Sequence, residues 1–291
     1  MGKICIATDT NAGISIEEGK ALDVLILPMV FLINGETYKE GIDLTREDFF
    51  SYLQKDVNVS TSQPTPGEMI QFFEDALKEY DEIVYIPLSS GLSNTCENAK
   101  IYAQEFKDKV FVVDNHRISV TQKFAVYDAI KLRDKGLSAK EITEYLEKET
   151  YNSSIYITLD TMKYLVKGGR CTPAAATAAK FLHLKPTLVN RGEKFDKFNI
   201  MNRTIVKAKQ VMIDAMKKDM EERFKEYYEN GEMALAVAHT ENFKQAESFK
   251  NEIEKEFPKA KVYFVDPLSL VVSCHIGPGS LAIASSRIIK D

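Results

Sequence analysis

The segment Thr61-Ser62-Gln63-Pro64 sets two hydroxyls just ahead of a predicted helix start, and Ser89-Ser90-Gly91-Leu92-Ser93-Asn94 sets three around a glycine. A helix N-terminus offers free N–H groups and the positive end of the helix dipole, so hydroxyls there suit a carboxylate or phosphate. Glycine lets the backbone approach such a ligand closely. A third segment, Cys274-His275-Ile276-Gly277-Pro278-Gly279-Ser280, places an imidazole at a predicted strand end beside a tight turn, where it can donate a hydrogen bond to an anion. Arg170, in Lys167-Gly168-Gly169-Arg170, and Arg203, beside Asn202, suit a phosphate or a partner's acidic surface. Each feature also has an ordinary reading: helix capping, a strand-to-helix turn, a structural histidine, a solvated charge.

Other chemistries lack their signatures. A complete G-x-S-x-G elbow is absent, as is the GK[ST] of a phosphate-binding loop. The four histidines are scattered and the four cysteines show no C-x-x-C spacing, so neither a metal nor a cofactor is expected. A serine hydrolase or acyltransferase built on Ser93 and His275 stays open as the alternative. The net charge of −5 has no basic stripe to offset it, which argues against nucleic acid. The opening MGKICIATDT lacks a basic segment followed by a long apolar run, and no apolar stretch approaches the ~20 residues of a membrane span. A cytoplasmic location with reduced thiols is expected.

The elements that carry these segments fall into two halves. From Lys3 to Thr150, strand and helix patterns alternate, which predicts a parallel sheet with helices on both faces. Val24–Phe31 reads as one strand, Val57–Val59 is too short to assign, and Thr65-Pro66-Gly67-Glu68 is a capped helix start. Beyond Ser153 the pattern changes. Thr187–Asn190 and Lys194–Asn199 bracket Arg191-Gly192 as a hairpin, Arg203–Glu229 reads as one long helix, and Pro173–Phe181 as an Ala-rich helix capped by Thr172. Ser269–Cys274 reads as a strand. The expected domains are residues 1–152, α/β with the hydroxyl loops, and 153–291, α+β with His275. In such α/β sheets, ligands sit beyond the carboxyl ends of the strands.

Taken in order, Thr8-Asp9-Thr10, TSQPTPGE at Thr61–Glu68, SSGLSNT at Ser89–Thr95, LVKGGR at Leu165–Arg170, Lys185-Pro186, the Arg203 segment and HIGPGSLAIA at His275–Ala284 resemble the DegV family over nearly the whole chain. The resemblance implies a two-domain DegV-like fold. It implies the role of the fatty acid binding subunit (FakB) of bacterial fatty acid kinase, a carrier and not itself an enzyme. There a separate ATP-binding kinase subunit converts the bound long-chain fatty acid to an acyl phosphate for phospholipid synthesis. Carried over, Thr61, Ser93 and His275 contact the carboxylate with Ser62 close by. Arg170 and Arg203 lie on the rim where the kinase subunit docks, and the second domain holds the lipid tail. Transient contact with a membrane surface is compatible with this role. Two positions depart from the family pattern: Ala282 stands where glycine is usual, and Cys274 where a small polar residue such as Thr is common.

Overall fold

Ile4-Cys5-Ile6-Ala7 has no polar residue to show water, and the strand it forms is buried on both faces. The computed structural model describes residues 2–55, 57–172, 174 and 184–290. It divides into two compact units, Met1–Thr150 and Tyr151–Asp291.

In the first unit, β1 (Ile4–Asp9) runs parallel to β2 (Val24–Leu27), with the short helix α1 (Ile16–Leu22) between them. Pro28 and Met29 then end β2, and Val30–Ile33 is a separate strand, β3, in a different sheet. The single strand expected over Val24–Phe31 is therefore corrected to two. Pro28 has no N–H to continue a ladder. Asn34 and Gly35 both take positive φ, 52° and 89°, and turn β3 into β4 (Glu36–Lys39). After α2 (Arg46–Gln54), β5 (Val59–Ser62) pairs antiparallel with the other side of β3. Next come α3 (Pro66–Ala76), β6 (Glu82–Ile86), α4 (Thr95–Ala103), β7 (Val110–Val112), α5 (Val120–Asp134) and α6 (Ala139–Lys148).

The four-stranded sheet has the order β2-β1-β6-β7 and is all parallel. Cys5, Ala7, Ile83 and Tyr85 point to one face and pack on Met69 and Phe73 of α3 and Cys96 and Ala99 of α4. The alternate residues point the other way, as a period of two requires, and α5 and α6 pack there.

The second unit is built on a six-stranded sheet in the order β10-β9-β8-β13-β11-β12. In chain order its elements are β8 (Ser153–Thr158), α7 (Lys163–Gly168), β9 (Thr187–Asn190), β10 (Asp196–Asn199), α8 (Ile205–Glu222), α9 (Lys225–Glu229), β11 (Met233–His239), α10 (Phe243–Glu256), β12 (Lys261–Pro267), α11 (Leu270–Ile276) and β13 (Leu281–Arg287). All neighbours are antiparallel except β11 and β12. Met212, Met216 and Met220 of α8 and Phe249 and Ile253 of α10 bury one face, against Tyr156, Leu235, Val237 and Ile283. The helix expected over Arg203–Glu229 is two helices, divided at Arg223-Phe224. Arg223 there turns back to the Tyr151 carbonyl at 3.1 Å and to Asp219 at 3.1 Å. The strand expected over Ser269–Cys274 is the helix α11, started by the Ser269 hydroxyl accepting from the Val272 N–H at 3.1 Å. Gly277, with φ 74°, ends it. The Ala-rich helix expected over Pro173–Phe181 lies outside the described residues. Among the described residues, no helix is long and apolar enough to cross a membrane.

Candidate anion site and its supports

Asp9 ends β1 with its carboxylate fully buried. It accepts from the Leu88 N–H at 2.9 Å, the Asn11 N–H at 3.0 Å and Gln122 Nε2 at 3.2 Å. Burial raises its pKa, and these donors oppose the rise. Gln122, from α5, also donates to Thr8 Oγ1 at 3.0 Å and to the Ile86 carbonyl at 3.1 Å. One amide thus ties the carboxyl ends of β1 and β6 together where the Ser89 loop departs. The loop is held from a third side by Arg117, whose carbonyl accepts from the Ser89 N–H at 2.9 Å. The Arg117 side chain is itself buried and donates to the Glu149 carbonyl at 2.9 Å.

Within the loop, the Ser89 carbonyl accepts from Leu92 N–H at 3.0 Å and Ser93 N–H at 3.1 Å, and the Ser89 hydroxyl from Gly91 N–H at 3.2 Å. Ser93 is half-buried. Its hydroxyl accepts from the Thr95 N–H at 3.3 Å and shares a 2.9 Å hydrogen bond with Thr95 Oγ1. The Asn94 side chain makes no cap bond, so Ser93 supplies the hydroxyl at the start of α4. Thr95 also stands where a G-x-S-x-G elbow would need its second glycine.

Thr61 and Ser62 do not sit at a helix start, which corrects the sequence reading. They belong to β5, opposite Phe31 and Val30. The following helix closes its own N-terminus: Thr65 Oγ1 accepts from Glu68 N–H at 3.3 Å, and Glu68 Oε2 from Thr65 N–H at 2.9 Å. Lys39 at 2.7 Å, then the Thr65 bonds, hold the Glu68 carboxyl down at about 2. Thr61 is half-buried and Ser62 exposed, with the Ser62 hydroxyl donating to the Gln63 carbonyl at 3.0 Å. The structure does bring this segment to the Ser93 helix. Gln63 Oε1 accepts from Asn98 Nδ2, one turn into α4, at 2.8 Å.

In the second unit, His275 lies in the last turn of α11 and packs on the end of α7. Burial, then the nearby Arg170 guanidinium, pushes its pKa down to about 4, so the ring is neutral at neutral pH. Arg170 donates to the Gly168 carbonyl. Tyr164 lies against Gly277, where a Cβ would fall 2.3 Å from its ring. The turn after His275 is held by Thr240. Its hydroxyl donates to the Gly277 carbonyl at 2.6 Å and accepts from the Ser280 N–H at 2.9 Å. Arg203 is exposed, one residue before Thr204, the cap of α8. Thr61, Ser62 and Ser93 thus belong to the first unit, and His275, Arg170 and Arg203 to the second. Ala282 is buried in β13 between Ala238 and Ile157, and Cys274 is buried in α11.

Cys96, Glu97 and Asp114 form the cluster of metal-ligand types found among the described residues. Lys100 Nζ occupies it, at 3.0 Å from Glu97 and 3.1 Å from Asp114, so an ammonium already supplies the positive charge. The sequence reading passed over Gln122, Arg117 and Thr240. Gln122 stands three, four and seven positions before Ala125, Val126 and Ala129, a polar residue on an apolar row of α5 and a signal available in the sequence.

The family model described as "Uncharacterised protein, DegV family" matches residues 3–287. The chain belongs to the DegV family. A DegV domain-containing protein of Staphylococcus aureus (strain N315) is 26% identical over 284 residues, covering 97% of this chain and 98% of that one. Among solved structures, that of DegV from Bacillus subtilis, described as a fatty acid binding protein, is 27% identical with a TM-score of 0.82, covering 99% and 100% of the two chains. A DegV family protein from Thermus thermophilus, solved for its fatty acid binding, shares the fold at a TM-score of 0.86 and 23% identity, covering 98% and 100%. The mixed α/β architecture described above is that of these DegV structures.

Proposed function

We propose that this chain binds a long-chain fatty acid and presents its carboxylate to a separate ATP-dependent kinase subunit, which forms the acyl phosphate that feeds phospholipid synthesis. The observation that carries the reading is the family match over nearly the whole chain, in a family with fatty acid binding members. The chemistry agrees with it. Thr61, Ser93 and His275 contact the carboxylate in this reading, with Ser62 beside them. Hydroxyls and a neutral imidazole are hydrogen-bond donors that leave a carboxylate oxygen nucleophilic, whereas a bidentate arginine would damp it. The tail, carried by the second unit, supplies most of the affinity. About 15 methylenes at ~0.8 kcal/mol each contribute on the order of 10 kcal/mol before losses. Hydrogen bonds to the charged head add about 1.5–3 kcal/mol each and set its orientation. Arg170 and Arg203 form the rim for the kinase subunit, in the cytoplasm and with transient membrane-surface contact during exchange.

The test is reconstitution with a fatty acid kinase subunit, ATP and palmitate, trapping acyl phosphate as its hydroxamate. The full chain supports product formation, and Ser93→Ala and His275→Ala reduce it. Hydrolysis of a long-chain ester by this chain alone, abolished by Ser93→Ala, would replace the carrier with a serine hydrolase.

A further inference from the structure

We infer that Gly168 is a positioning residue for His275, and that the imidazole presents Nε2 to the carboxylate because its Nδ1 edge rests on the α7 backbone at Gly168. The inference rests on the proposed carboxylate contact of His275. A Cβ built on Gly168 falls 2.1 Å from His275 Nδ1, 2.9 Å from Cε1 and 3.1 Å from Cγ. Nδ1 is therefore the apex turned to the helix, and Nε2, across the ring, is directed away from it. Real Cβ atoms essentially never approach another heavy atom to 2.1 Å, so any side chain at 168 must move the ring or the helix.

The adjacent glycines serve different ends. Gly169 is required by its backbone, with φ 66° at the αL cap of α7. Gly168 has an ordinary helical backbone that any residue adopts, and glycine is a poorer helix former than alanine. What asks for glycine there is the imidazole. Tyr164, also on α7, fills the space above Gly277, so α7 meets both the imidazole, at Gly168, and the turn that follows it, at Gly277. The Lys167-Gly168-Gly169-Arg170 segment thereby acts on the head group through His275.

The test is a double-mutant cycle, read by palmitate titration and by two-dimensional NMR of the histidine ring nitrogens. His275→Ala is expected to weaken palmitate binding by about tenfold or more. Gly168→Ala is expected to weaken it comparably and to shift the His275 ring resonances, which show the Nε2–H tautomer in the parent. Adding Gly168→Ala to His275→Ala is expected to cause no further loss, since the methyl enters the space the ring has left. The double variant should also melt where His275→Ala melts, even if Gly168→Ala alone folds poorly. Parent-like binding by Gly168→Ala, additive losses, or a double variant that still fails to fold would each overturn the inference. Parent-like binding by His275→Ala would instead remove the carboxylate contact on which it stands.

Discussion

His275 titrates at about 4 in the folded chain, against 6.5 for an unperturbed histidine, because burial and then Arg170 disfavour the imidazolium. Between those values the unfolded chain holds the proton and the native chain does not. Stability therefore rises with pH in that window and is lost as the pH falls from about 6.5 towards 4. His275→Gln removes this contribution. Urea midpoints measured from pH 7 to pH 4 should fall less steeply in the variant, and identical slopes would contradict a half-buried ring held neutral. Ser93 carries a different lesson at the same scale. Its hydroxyl already accepts from the Thr95 N–H, so it is oriented as part of a helix start, a role that suits a fixed donor better than a nucleophile.

Between elements, the joint that aims the hydroxyl loop is Gln122, reaching from α5 to the ends of β1 and β6. Gln122→Leu leaves the buried Asp9 carboxylate and the Ile86 carbonyl short of a donor, a loss worth about 1–3 kcal/mol. Amide exchange at Leu88 and Ser89 should accelerate in that variant, and unchanged exchange would show that the loop is aimed by something else. How much of this was legible depends on range. Local rules sufficed for the Thr65–Glu68 capping box and for the hairpin around Arg191-Gly192. Val271-Val272 misled, because β-branching suggested a strand while Ser269 and Gly277 set the ends of a helix. Asn34-Gly35, just past the apolar run that ends at Ile33, is a short-range hairpin signal that the single-strand reading left unused. The pairing of β5 with β3 and the grip of Thr240 on the turn after His275 are contacts between distant residues that no periodicity encodes.

Each unit has its own sheets, two in the first and one in the second among the described residues, and its own buried cluster. Residues 1–150 and 151–291, expressed separately, should each unfold cooperatively in a thermal melt. The proposed head-group contacts draw on residues of both, so neither piece alone should bind palmitate as the full chain does. Full affinity in one piece would confine the site to that piece. The proposed ligand is itself the most direct object to measure: native purification followed by mass spectrometry of the extracted lipid. The account predicts about one long-chain fatty acid per chain, with a free carboxyl and a sharply reduced load in His275→Ala. A chain that carries no fatty acid, even after palmitate is supplied, would contradict it.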